Sequence, residues 1–140
     1  MMKLLLDTNV ILDIILQREP HFEQSKEVII KIDGKLVQGF ITATTITDIY
    51  YLVRKAKGKD IAFAFIESLI SFIDVLAIDK SILLSALKSE IEDFEDSIQI
   101  SASISNSIDC IITRNISDYI KSEVPAFTPK YFLETYPNVF

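Results

Sequence analysis

The chain is poor in the residues that punctuate or cross-link a fold. Its 140 residues hold one cysteine, one histidine, three glycines and four prolines. A single cysteine, Cys110, excludes an internal disulfide and cannot build a thiolate metal site. It sits among apolar neighbours (Asp109-Cys110-Ile111-Ile112) and reads as a small core residue, a usage that fits a cytoplasmic location. A serine- or cysteine-based triad would have to use His21, which follows Pro20 at an apparent helix start and reads as a surface or partly packed side chain. So little glycine leaves no phosphate-cradling loop, and no Cys/His spacing suits zinc. No apolar run reaches the roughly 18 residues of a membrane span. The apolar start Met1-Met2-Lys3-Leu4 meets Asp7 at once, unlike a signal peptide.

Positive charge is also scarce. Fourteen Lys and Arg stand against 20 Asp and Glu, for a net charge of −6. This excludes a strongly basic nucleic-acid surface. It does not exclude a metal site that engages phosphate locally, helped by a few cations. Arg18, Arg54, Lys55, Lys57, Lys59 and Arg114 are candidates, each with an ordinary solvated charge as the alternative.

Apolar residues, by contrast, make up 49 % of the chain, enough for a real core. The length suits one domain over residues 1–140, with no repeat or linker. The pattern alternates strands and helices. Strands are expected at Leu4–Leu6, Leu36–Ile41, Asp74–Ile78, Ile108–Thr113 and Ala126–Thr128. Helices are expected at Val10–Gln17, ended by Pro20, at His21–Ile32, from Thr44 or Thr45 to Lys55, and at Asp60–Ile70 and Lys80–Lys88. Another starts at Ser89 or Asp93 and runs to Ser105, Asn115–Lys121 is a short helical segment, and Pro129 suits the first position of a closing helix. Such alternation implies a parallel sheet covered on both faces, with ligands at the carboxyl ends of the strands.

Acidic residues gather at those ends. Asp7 follows the first strand, Asp48 lies one turn into the helix after the second, Asp96 opens a helix, and Asp118 follows the fourth strand with Asn115. Each has a plainer reading. Asp7 is a possible N-cap, but Asn9 offers the same chemistry. Asp48 shares a helix face with Thr44, an arrangement that also suits a cap followed by an acid at the positive helix end. Asp93 is better read as helix-start acidity, whereas Asp96 falls in line with Ile100 and Ser103 on the inward face. Asn115 is a possible cap and Asp118 a solvated acid. Brought together, such carboxylates repel by roughly 3 kcal/mol per pair at about 5 Å and an effective dielectric near 20, and an oxygen-rich cluster of this kind suits Mg²⁺ or Mn²⁺. Asp7-Thr8-Asn9 lacks a second aspartate two residues on, which argues against an aspartyl-phosphate mechanism of the haloacid dehalogenase type.

The segment Leu5-Leu6-Asp7-Thr8-Asn9-Val10-Ile11-Leu12-Asp13 resembles the opening of a PIN domain. Asp48-Ile49-Tyr50-Tyr51-Leu52-Val53-Arg54-Lys55 resembles its second acidic helix, and Asp93-Phe94-Glu95-Asp96-Ser97-Ile98-Gln99 its third motif. Ile111-Ile112-Thr113-Arg114-Asn115, with Asp118-Tyr119, Thr128-Pro129 and Phe132-Leu133, resembles its close. The ordered set spans nearly the whole chain and is similar to the bacterial branch that includes VapC-type toxins. The resemblance implies a three-layer α/β/α fold with a central, mostly parallel sheet of four to five strands. It implies a Mg²⁺- or Mn²⁺-dependent ribonuclease, an RNA substrate, an antitoxin partner and a homodimer. Phe63, Phe65 and Phe72, if not core, are candidates for the dimer surface. Carried onto this chain, it makes Asp7 and Asp96 the principal metal ligands. Asp48 would shape the site and help activate water, and Asp118 or Asn115 would complete the shell. Many members of the family have glutamate where this chain has Asp48. Asn9, Thr44 and Thr113 are expected in support. A catalytically weak PIN-like domain that works by binding an antitoxin is the alternative, and a DNA-directed nuclease a third.

Overall fold

A computed structural model describes residues 1–136; the last four residues of the expected 1–140 unit lie outside the described residues. Its fold is three-layered, helices on both faces of a five-stranded sheet. In chain order the elements are β1 (Lys3–Leu6), α1 (Thr8–Ile15), α2 (Phe22–Asp33), β2 (Gln38–Thr42), α3 (Ala43–Lys57) and α4 (Lys59–Ile70). They continue with β3 (Asp74–Leu76), α5 (Lys80–Leu87), α6 (Phe94–Ser105), β4 (Cys110–Ile112), a 3-10 turn (Ile116–Tyr119), β5 (Ala126–Phe127) and α7 (Pro129–Thr135). All pairings are parallel and the strand order is β3-β2-β1-β4-β5.

That order places the topological switch between β1 and β4. Successive strands step away from β1 on one side as far as β3, and the chain then returns to its other side. The crevice at this switch, outside the carboxyl ends of the strands, is where open α/β sheets bind ligands. Here it is flanked by Asp7, just past β1, and Thr113, just past β4. Leu6 is in register with Ile112, and the Asp7 N–H donates to the Ile112 carbonyl at 2.9 Å.

Strand alternation splits the core in two. Leu4, Leu6, Ile41, Cys110 and Ile112 face one cluster, which α1, α2, α3 and α7 complete with Ile11, Val28, Ile49 and the fully buried Phe132. Leu5, Phe40 and Ile111 face the other, closed by Ile82 and Ala86 of α5 and Ile98 and Ala102 of α6. Full burial of one such side chain stabilises by about 1.5–3 kcal/mol. Gly39 lets α2 approach the sheet, since a Cβ there would lie 2.7 Å from the Ile32 Cδ1. Cys110 is a buried free thiol, as its neighbours implied. Among the described residues, no helix is long and apolar enough to cross a membrane.

The expected strands and helices all form, with ends displaced by a few residues. The first helix stops at Ile15, before Pro20, because Gln17 takes a positive φ of 50°. The third helix is capped neither by Thr44 nor by Thr45 but by Thr42, whose Oγ1 accepts from the Thr45 N–H. Of the three phenylalanines considered for an interface, Phe65 and Phe72 pack against the first core cluster. Phe63 is exposed and stands against the Tyr50 ring.

Candidate active site

Asp7, Asp48, Asp96 and Asp118 meet on one open depression of about 420 Å³ at the carboxyl edge. Thr8, Asn9, Asp93, Glu95, Gln99 and Asn115 also line it. The odd residues of β1 face α6, so Asp7, following Leu5 in phase, meets that helix. Asp7 caps α1: its Oδ1 accepts from the Thr8 N–H at 2.8 Å. The same oxygen accepts from Gln99 Nε2 at 3.0 Å. Its Oδ2 accepts from Thr113 Oγ1 at 2.7 Å and from Asn9 Nδ2 at 3.3 Å. Four donors thus hold a carboxylate that is buried, and they leave it little rotational freedom.

Gln99 is the hub beneath this corner. It is buried on the inner face of α6, and its Nε2 also donates to the Tyr119 hydroxyl at 2.9 Å. Tyr119 in turn donates to Asp96 Oδ1 at 3.1 Å. On the other side the Thr45 Oγ1 donates to Gln99 Oε1 at 3.4 Å and accepts from Thr8 Oγ1 at 3.3 Å. One polar chain therefore runs from the end of β2 through Gln99 to both Asp7 and Asp96. Satisfied networks of this kind specify a single arrangement, because any unpaired member in low dielectric is costly.

The rim is more acidic than it is bonded. Asp93 caps α6 through the Asp96 N–H at 2.9 Å, the role its position suggested. Burial, then the charges of Asp93 and Asp7, push the Asp96 carboxyl up to about 6, while its bond from Tyr119 acts in the opposite direction. Glu95 is pushed up to about 8, first by a hydrogen bond with Asp48, then by burial and the charges of Asp48, Asp93 and Asp7. The contact with Asp48 is thus the leading reason that the Glu95 carboxyl holds its proton more tightly than an ordinary glutamate. Nothing in the sequence pairs the two; the fold does so by bringing the early turns of α3 and α6 to one depression.

The other expected residues divide. Asn9 lines the depression and steadies Asp7, and Thr113 makes the shortest bond to it. Thr113 also accepts from the Asn115 N–H at 3.0 Å. The Asn115 side chain makes no capping bond, so it is left exposed at the depression beside Asp118. Thr44 does not reach the site. Its hydroxyl pairs with that of Thr42 at 2.9 Å, and Thr45, one residue on, enters the network instead.

The candidate cations are redistributed as well. Lys57, at the far end of α3, is nine residues beyond Asp48, about 13 Å along the helix axis. Arg54 and Lys59 lie over the rings of Tyr50 and Phe63. Arg114 alone stands next to the site, its Nε 2.7 Å from the fully buried Asp13. Sequence reasoning missed Glu95, Gln99, Tyr119 and Thr45. For Gln99 a signal existed, an amide at the i+3 position from Asp96 on the inward face of α6.

The PIN domain family model matches residues 3–117. The chain belongs to the PIN-domain family. Its fold is similar to FitAcB from Neisseria gonorrhoeae, with a TM-score of 0.73, 20 % identity, and 91 % of this chain and 99 % of that one covered. It is also similar to VapBC2 from Rickettsia felis, solved with a DNA fragment from its promoter, with a TM-score of 0.69 and 16 % identity over 91 % and 98 % of the two chains. A third is VapC20 from Mycobacterium tuberculosis, described as a sarcin-ricin loop cleaving toxin, with a TM-score of 0.63 and 10 % identity over 77 % and 86 %. Among curated proteins, none is a significant match in sequence.

Proposed function

We propose that this PIN domain is a divalent-metal-dependent endoribonuclease, the toxin of a toxin–antitoxin pair. The observation that carries the reading is the meeting of Asp7, Asp48, Asp96 and Asp118 on one depression at the topological switch. The family membership and a similar fold in a toxin–antitoxin complex from Klebsiella pneumoniae support it.

The donor set fits Mg²⁺ or Mn²⁺. It is all oxygen, and burial and mutual repulsion raise Asp96 and Glu95, a strain that a cation relieves. Among the described residues, no three acids stand close enough to enclose an ion by themselves, so water would complete the shell. Asp7 and Asp96 would hold the ion, with Asp118 or Asn115 at its outer side. Bound there, the metal would lower the pKa of its water and offset charge on the phosphate. Thr113 and Gln99 keep the Asp7 carboxylate facing the depression, and Tyr119 does the same for Asp96. Glu95 extends the corner where Asp48 is one methylene shorter than the glutamate of many relatives. Replacing Asp7 and Asp96 by Asn, separately, tests the assignment. Metal-dependent RNA cleavage is expected to collapse in each, and undiminished cleavage in either overturns that residue's role.

A second reading has its own observation. The contact between Glu95 and Asp48 raises Glu95 and so offsets part of the rim's repulsion without an ion. A catalytically weak domain that holds a basic side chain of an antitoxin in the acidic depression would use that property. Thermal stability measured against millimolar Mn²⁺ separates the two: a rise supports the nuclease and no change the binding domain.

A further inference from the structure

Beside the acidic depression lies a second cavity of about 430 Å³ with the opposite character. His21, Gln24, Arg114, Thr128 and Lys130 line it together with Pro20 and Pro129, and it includes no acidic side chain. In a chain of net charge −6 this is unusual. Glu19 and Glu23 are near in sequence but do not line it.

The two cavities share one short segment. Past β4, Arg114 lines the basic cavity, and its neighbour Asn115 lines the acidic one. The Arg114 N–H donates to Asn9 Oδ1 at 3.3 Å, and Asn9 bonds Asp7. Arg114 is also fixed. Its Nε is held by buried Asp13, which aims the planar guanidinium and leaves the two terminal nitrogens as donors. Asp13 offsets its charge, so the net positive charge comes from Lys130, which is exposed.

We infer that this basic cavity binds a backbone phosphate of the RNA strand next to the one held at the acidic depression. The inference rests on the nuclease reading given above. It also answers a difficulty of that reading, because an acidic protein needs local cations to hold a polyanion across a carboxylate cluster. A guanidinium fork and an ammonium, with a hydroxyl and an amide at hand, suit a phosphodiester oxygen pair better than a single carboxylate.

The only histidine supplies the test. In metal-free buffer with chelator, a ten-nucleotide single-stranded RNA is titrated into the protein while the His21 imidazole C–H resonances are followed by NMR. A saturable shift is expected, weakened about tenfold or more in Lys130→Glu and Arg114→Lys. Lys130 is exposed, and Arg114→Lys keeps a cation over Asp13, so both variants retain the fold. With active protein and metal, Lys130→Glu should raise KM with kcat within about twofold, and reduce the salt slope of binding by about one. The inference is overturned if RNA binds, by fluorescence anisotropy, without moving the His21 signals. It is equally overturned if Lys130→Glu leaves KM and the salt slope unchanged, or if an acidic peptide of equal charge shifts His21 as strongly as the RNA. If the RNA shifts His21 and the variants weaken it, yet no RNA is cleaved with any metal, the subsite stands and the nuclease reading fails.

Discussion

On the floor of the acidic depression Asp7 accepts hydrogen bonds from Thr8, Asn9, Gln99 and Thr113. On its rim Asp48, Glu95 and Asp118 have few bonds, Glu95 and Asp118 are exposed, and contact with Asp48 raises Glu95. The floor is fixed by geometry: four donors hold one carboxylate in place. The rim is set by charge. Its geometry holds only while a proton, a cation or a basic partner offsets the repulsion. A fixed floor with an adaptable rim is the division that a site would need to keep its ion-binding corner while accepting different occupants.

The largest effect should follow from breaking the floor itself. Asp7→Asn should lower metal-dependent RNA cleavage by about 10²–10³-fold, the range seen when one preorganised electrostatic group is removed. Circular dichroism should show the fold retained. Next is the hub. Gln99→Leu removes one hydrogen bond each from the Thr45 hydroxyl, the Tyr119 hydroxyl and Asp7 Oδ1. We expect a loss of about 10–100-fold in metal affinity or activity. We also expect about 1–3 kcal/mol of lost stability in urea unfolding. If Gln99→Leu is silent in both measurements, the network does not position Asp7.

The rim should respond to pH. Glu95 and Asp96 bind protons more tightly in the folded chain, at about 8 and about 6, than the ordinary 4.5 and 3.8. The folded state therefore holds the excess protons over that window, and stability should fall as pH rises from about 4 to about 8. The melting temperature in chelator should show this decline, Glu95→Gln should flatten its upper part, and millimolar Mg²⁺ or Mn²⁺ should restore stability near pH 8. A melting temperature that climbs through this window would contradict the raised Glu95 and Asp96 carboxyls. The smallest effect belongs to Asp118. It is exposed and makes no side-chain hydrogen bond among the described residues, so Asp118→Asn should change cleavage by less than about fivefold, the scale of a solvent-screened charge. A larger loss would move Asp118 from the rim to the ion-binding set.

Much of this was legible before any coordinates. The runs Leu4–Leu6 and Cys110–Ile112 are apolar on both faces, which only a strand covered on both sides tolerates, and Asp7 and Thr113 follow each directly. Asp93 reads as a cap from its i, i+3 relation to Asp96, and it is one. The cap of α3 lies two or three residues before the expected Thr44 or Thr45, because Thr42, Thr44 and Thr45 have the same capping chemistry. The choice among them depends on where β2 stops, and pairing with β1 and β3 decides that.

The sequence by itself determined the alternation of strands and helices, the apolar core and the placing of acids just past the strand ends, because those follow from periodicity and local chain chemistry. Tertiary structure alone decided which polar groups meet. Gln99 finds Asp7 across 92 positions of chain, Thr45 finds Gln99 across 54, and Arg114 finds Asp13 across 101. Periodicity tells a helix which face to bury. It does not tell a buried amide or carboxylate which partner awaits it, since that partner arrives on another element, brought by the packing of apolar side chains that have no part in the chemistry.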